Sequence, residues 1–333
     1  MGLAELSSRD IIGRFFDRLE SSMGMSWVRD TSMLFPTDQE IENYKWLGFA
    51  PALQTWLGER QGKGLRVNGV SIKNVIYEST LALSVDDRRR DKSGQIDIRI
   101  AEMVDDAINH WGTLLTTLII NGETTACYDG QSFFDTDHSE GSSGTQSNDL
   151  SGGVFDVTSS TAPTSSELEV AILQMIQTLY GFKNDQGRPM NQAARKFLVM
   201  VPVAYWGNAI KAVYSNNLNT GSGVVDNAIA GLKNRGIEIE VVANPELTWT
   251  TKLAVFRTDG NARPLIRQVE LLDGRKPSEA NAEAEGESLG IQVSALGPES
   301  EHAFKKNEEL YGIKASRNVD YGYWQHAVLA TLS

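Results

Sequence analysis

Two carboxylates and an imidazole fall within four residues, at Asp135, Asp137 and His138. Oxygen and nitrogen donors at that spacing could hold a divalent cation. A cation held there could activate water, so a metal-dependent hydrolase is one reading of the chain. A catalytic zinc or two-metal centre needs further ligands at helical or strand spacing, and the other histidines, His110, His302 and His326, lie far away in sequence. The plainer reading is a polar turn in which Asp135 or Asp137 caps backbone amides. The single cysteine, Cys127, stands among Thr, Ala and Tyr with no basic neighbour, a setting that does not favour a reactive thiolate. Residues 58–64 are glycine-rich, but no helical pattern follows them, so the helix N-terminus that cradles phosphate is missing. No Gly-x-Ser-x-Gly, His-Glu-x-x-His or Gly-x-x-x-x-Gly-Lys motif occurs. The sequence therefore assigns no catalytic residue, metal site or cofactor, and points to a structural rather than an enzymatic role.

Composition narrows the partners. The 333 residues carry 31 basic against 43 acidic side chains, a net charge of −12. Such a chain does not track a phosphate backbone, because nucleic-acid affinity comes from Lys and Arg displacing counterions. The basic cluster Arg88, Arg89 and Arg90 is flanked by Asp86, Asp87 and Asp91, which reads as a solvated or intersubunit charge face. The seven tryptophans are not interleaved with a basic stripe, so they read as core or interface packing rather than base-stacking platforms. One cysteine allows no intrachain disulfide. No apolar run approaches the roughly 18 residues of a membrane span, and no signal peptide is expected.

The elements that would position these residues follow from periodicity. Residues 8–22 place Ile11, Ile12, Phe15, Phe16 and Leu19 at helical spacing, predicting an amphipathic arm helix whose apolar side needs a surface in this chain or a neighbour. Residues 46–90 are dense in glycine, with Trp46 and Trp56. Asn68-Gly69 is a two-residue turn signal, and residues 75–85 alternate apolar and polar, which predicts a long exposed β-hairpin lacking an adjacent sheet. Apolar residues from Ile96 to Ile119 hold a helical period over 94–121, predicting a helix roughly 42 Å long. A compact domain needs only about 30 Å, so this helix reads as a beam. Asn121-Gly122 is its natural stop.

Residues 140–166 are rich in Ser, Gly and Thr and predict a surface loop. Ser166 with Glu169 offers a capping box for the helix that follows. Strands are expected over 196–201, 236–243, 252–258 and 264–271, and a helix over 203–215. Residues 273–287 are acidic and expected to be exposed, and the chain closes through aromatic-rich strands. The mixed order indicates an α+β protein with more than one subdomain.

Several segments resemble the major capsid proteins of tailed bacteriophages, most closely the Mu-like major head subunit family. Residues 77–87 are similar to the family's strand leading into its spine helix, and 127–138 to its post-spine segment. Residues 236–245 and 262–268 resemble its axial-domain strands, and 310–317 and 322–327 its C-terminal signature. The resemblance implies the tailed-phage capsid fold, divided as an N-terminal arm (1–45), an extended β-hairpin loop (46–92) and a peripheral domain with the spine helix (93–150). An axial domain (151–272) follows, and then an acidic insert with strands returning to the peripheral domain (273–333).

It also implies a shell subunit that assembles with itself as pentamers and hexamers in the host cytoplasm. Its partners would be a scaffolding protein, a portal and a decoration protein, and packaged DNA would meet only the inner wall of the virion head. On this reading the hairpin and the arm helix would lie across neighbouring subunits. Assembly contacts are expected at Trp56, Arg60, Lys63, Arg66, Tyr77, Asp87, Arg88, Arg89 and Arg90. Some relatives cross-link a hairpin lysine to a neighbour's asparagine; Lys63 and Lys73 are the candidates here, without a visible catalysing carboxylate. An encapsulin-like compartment shell, a tail or baseplate protein, and the hydrolase built on Asp135, Asp137 and His138 are the alternatives.

Overall fold

The computed structural model describes residues 8–21, 24–44, 69–90, 94–219, 223–279 and 286–333. The chain begins with α1 (Ser8–Ser21), α2 (Ser26–Thr31), β1 (Ser32–Thr37), β2 (Ile41–Tyr44), β3 (Val70–Lys73) and β4 (Val75–Ser84). A short α3 (Val85–Arg90) precedes the long α4 (Gln95–Ile120). Then come β5 (Asp149–Phe155), α5 (Ser165–Gly181), β6 (Lys196–Val201), α6 (Trp206–Tyr214), β7 (Asn217–Asn219), β8 (Val224–Asp226) and α7 (Ala228–Lys233). Next are β9 (Glu238–Ala243), β10 (Lys252–Arg257), β11 (Leu265–Glu270), β12 (Ile291–Leu296), α8 (Glu301–Lys306), β13 (Glu308–Tyr321) and β14 (Ala327–Leu332).

Two five-stranded sheets organise these elements. In the first, β11, β12 and β4 all run antiparallel to the long β13, and β1 lies parallel to β11. The second has the order β5-β14-β10-β6-β9. Its middle strands are near-continuous apolar runs, such as Phe197, Leu198, Val199, Met200 and Val201, all buried, as expected where both faces are covered.

The beam helix forms as its period requires. Ile96, Ile100, Val104, Ile108, Trp111, Leu115 and Ile119 make one buried stripe along the 26 residues of α4, about 39 Å at 1.5 Å per residue. The helix passes into a 3-10 turn over Asn121–Glu123, where Gly122 is required by close packing, because a Cβ there would sit 2.6 Å from the Phe134 ring. No described helix is long and apolar enough to cross a membrane.

The arm helix docks within the chain. Ile11, Phe15 and Leu19 are buried against Ile96, Ile100, Val104 and Ile108 of α4 and Tyr311 and Ile313 of β13. Arg14–Asp97 and Arg18–Asp105 flank the contact as half-exposed ion pairs. Pairs of that kind contribute about 0–1 kcal/mol, so the apolar stripe holds the helix. The expected placement of this helix across a neighbouring subunit is corrected accordingly.

Other expectations shift for physical reasons. Residue 68 and most of the expected hairpin, 45–68, lie outside the described residues. The strand over 75–84 does form, but it pairs with β13 along ten residues, Val75↔Arg317 to Ser84↔Glu308, so it has a sheet that sequence proximity could not reveal. β3 pairs instead with β2, Tyr44↔Val70 to Ile41↔Lys73, making a ribbon that brackets residues 45–69. The loop expected over 140–166 contains β5, paired parallel with β14.

The capping box at the start of α5 is Thr164 with Glu167, not Ser166 with Glu169. Glu169 instead turns inward and accepts from the Ala228 amide at 2.6 Å. In the acidic stretch, Glu287 is buried rather than exposed, because it pairs with Arg267 at 3.4 Å and Arg29 at 3.7 Å. Sheet membership also crosses the expected domain boundaries. β11 joins the first sheet and β14 the second, while β12 and β13 pack against α4 through Ile291, Val293, Tyr311 and Ile313.

Candidate functional site

The expected assembly residues divide into three groups. Trp56, Arg60, Lys63 and Arg66 lie outside the described residues. Tyr77 is half-buried on β4, its ring edge-on to His110 at 4.4 Å; burial and the nearby Arg317 lower the His110 pKa. In α3, Arg88 is drawn inward to Glu309 at 3.1 Å, while Arg89 pairs with Asp86 at the surface. Asp87, Arg89 and Arg90 remain exposed. Of the two lysines considered for cross-linking, Lys63 is outside the described residues and Lys73 pairs with Glu40 at 3.1 Å. β4 itself is largely exposed, with Ile76 at 61% and Val75 at 43%, and among the described residues only β13 pairs with it.

The three candidate metal ligands do not converge as a set. Asp135 accepts from the amides of Ser132 and Thr136 at 3.3 and 2.6 Å, which is the capping turn of the plainer reading. Asp137 is exposed, and the neighbouring Asp135 raises its pKa. His138 is fully buried and directs Nδ1 to Asp129 at 2.7 Å.

A different trio forms there instead. The Cys127 thiol donates to the other Asp129 oxygen at 3.0 Å, so Cys127, Asp129 and His138 share one carboxylate. Gly130, at φ +91°, lets the chain turn, and reciprocal backbone bonds from the Cys127 amide to Gln131 and from the Gly130 amide to Cys127 close it. Residues 127 and 129 then project together. His138 is fixed by a backbone bridge to Gln146 and by its ring stacked on Trp324 at 4.0 Å and 6°. Burial, Asp129 and Glu140 push the thiol pKa well up, so Cys127 is no thiolate nucleophile. Burial opposes ionisation of Asp129, but its hydrogen bonds from His138 and Cys127 prevail and hold its pKa down. The i, i+2 spacing of 127 and 129 was the only sequence signal of this trio.

A second polar group lies beneath α4. The indole of Trp111 is flanked by the guanidinium groups of Arg267 and Arg317, at 5.4 and 4.8 Å from its ring. Burial lowers the pKa of both arginines to about 10, and Glu287 is the carboxylate that offsets Arg267. Cation–π contact offsets part of the desolvation cost. The arrangement ties α4 to both β11 and β13. It presents no nucleophile or general base, so it reads as structural.

This fold, a long helix over an antiparallel sheet followed by a second sheet flanked by helices, is the tailed-phage capsid fold. The procapsid subunit of bacteriophage JBD30 superposes with a TM-score of 0.53 at 19% identity, covering 97% of this chain and 73% of that one. A virus-like particle from Pyrococcus furiosus matches with a TM-score of 0.51 at 10% identity, over 97% of this chain and 98% of that one. Within that class, residues 14–160 match the family Mu-like prophage major head subunit gpT.

The major capsid protein of Escherichia phage Mu is 35% identical over 107 residues, 32% of this chain and 35% of that protein. The Mu-like prophage FluMu major head subunit of Haemophilus influenzae is 36% identical over 98 residues, 29% of this chain and 32% of that protein. The aligned stretch thus spans about a third of the length of each curated relative.

Proposed function

We propose that this chain is the major capsid protein of a Mu-like phage or prophage, a structural subunit that assembles with itself into an icosahedral head around DNA. The observation that carries the reading is its 35% identity over 107 residues to the major capsid protein of phage Mu. A fold shared with a phage procapsid along 97% of the chain supports it. Pentamers and hexamers would tile the shell, as closed symmetry requires. A scaffolding protein, a portal and a decoration protein would be its partners, and host cytoplasm its place of assembly. A net charge of −12 suits a wall that must not grip the genome it holds.

The intersubunit contacts would come from residues 46–68, which include Trp56, Arg60, Lys63 and Arg66, and from the exposed edge of β4 with Asp87, Arg89 and Arg90 at its end. Tyr77 and Arg88, already engaged within the chain, would support that edge from behind. The test is to replace residues 46–68 by a short turn joining β2 to β3. The variant should stay folded and fail to form shells; normal shells would refute the assignment. The match to a virus-like particle favours a compartment shell as the second reading, but at 10% identity it speaks for the fold alone. Co-expression with and without terminase and portal separates the two, since only a phage head would package DNA.

A further inference from the structure

We propose that Cys127, Asp129 and His138 form a binding site for one divalent transition-metal ion of borderline softness, with zinc as the natural occupant. Their donor atoms, a sulfur, a carboxylate oxygen and an imidazole nitrogen, all lie within 4.8 Å of one another. Around a zinc ion, with bonds of about 2.0–2.3 Å, tetrahedral ligands sit roughly 3.3–3.8 Å apart, so small side-chain adjustments close the site. The donor set selects the ion: thiolate and imidazole disfavour magnesium and calcium, which take oxygen ligands.

The site is built, not incidental. Gly130 sets the turn that aims Cys127 and Asp129 the same way, and the Trp324 stack holds the buried imidazole against them. Asp129 has no lysine or arginine partner among the described residues, only the donors Cys127, His138 and the Gln131 amide. Glu140, itself 7% exposed, adds negative charge close enough to act on the thiol. A buried group of this sign gains from a cation. Nε2 of His138 is also buried with no protein hydrogen-bond partner, while Nδ1 faces the Asp129 carboxylate at 2.7 Å, so the metal-free imidazole carries its proton on Nδ1.

Binding balances as follows. The metal forms bonds to Sγ, to a carboxylate oxygen and to Nδ1. The thiol proton leaves to solvent, and the imidazole proton moves from Nδ1 to Nε2. No electron is transferred. Three protein ligands would leave a fourth position for water. An ion here would join the turn at Gly130 to His138, both in the segment that follows α4. The assignment does not depend on the shell reading, because it can be tested on the purified full chain whether or not it assembles.

The experiment is titration of chelator-treated full-length protein with cobalt(II), then zinc(II). One cobalt per chain should bind, with the near-ultraviolet charge-transfer band of a cobalt–thiolate bond, and zinc should displace it. Cys127→Ser keeps a donor to Asp129 and should fold, but it should abolish the band. Its zinc affinity should fall by more than the roughly 10- to 100-fold that an outer-shell partner is worth. Asp129→Asn should keep the band and weaken binding. Affinity should drop about tenfold per pH unit on acidification, since one thiol proton is displaced. Absence of the band in the folded wild-type chain, or its persistence in Cys127→Ser, would overturn the proposal.

Discussion

β14 and β4 are both strands rich in small and branched apolar residues, yet they end in opposite environments. In β14, Ala327, Val328, Leu329 and Ala330 are all 0% exposed, flanked on either edge by β10 and β5. In β4, Val75 and Ile76 lie open, and among the described residues only one edge is paired. β14 is enclosed within its sheet by its own chain, while among the described residues β4 keeps one unpaired edge. An exposed apolar edge strand is a hazard that monomeric proteins blunt with charge or proline. Its persistence here fits the proposed shell subunit, in which a neighbour would cover that edge.

The largest test of that contrast is Val328→Asp. It places an unpaired charge in a sealed sheet and should cost about 4–5 kcal/mol or more, seen as loss of cooperative unfolding in denaturant. A well-folded Val328→Asp protein would mean that β14 is not enclosed within its sheet. Phe15→Ala comes next. Phe15, on α1, is fully buried against α4 and β13, and its truncation should cost about 3–5 kcal/mol in a dispersed subunit. A loss below about 0.5 kcal/mol, the range of surface sites, would place α1 on a neighbour after all.

Asp320 lies at the inner end of β13, where burial raises its pKa from 3.8 to about 6. The folded state therefore holds the proton more tightly than the unfolded state, so stability falls as pH rises from about 4 to about 6. Asp320→Asn keeps the acceptor for the Tyr321 amide. It should add about 1–3 kcal/mol at pH 7 and nothing below about pH 4; a gain that does not vary with pH would contradict the assignment. Thr164→Ala, which removes the capping box of α5, should cost about 0.5–2 kcal/mol by thermal unfolding. The smallest effect on the subunit should come from Ile76→Asp, within about 0.5 kcal/mol. Sedimentation should nonetheless show assembly impaired, and an effect on stability as large as that of Val328→Asp would erase the distinction between the two strands.

The legible parts of this fold are those whose signals are local. The stripe of α4, the apolar run of β6 and the alternation of β4 each repeat within a few residues. Partnership was not legible. β4 finds β13 more than two hundred residues later, and no periodicity encodes that choice. Near α5 two capping phases, 164–167 and 166–169, satisfy the same pattern, and packing around Glu169 decided between them. Glu287 hid among acidic neighbours because its partners, Arg29 and Arg267, are distant in sequence. The cluster after α4 was half legible. His138 stood out by type, but the turn at Gly130 gave it Asp129 and Cys127 rather than Asp135 and Asp137.

The most direct measurement is negative-stain electron microscopy with sedimentation velocity on the full chain, expressed alone and with a candidate scaffolding protein. Closed shells of uniform diameter, dissociating into rings or single subunits, are the expected result. A stable monomer under every condition, or tubes and open rings without closure, would contradict the assignment of this chain as a capsid subunit.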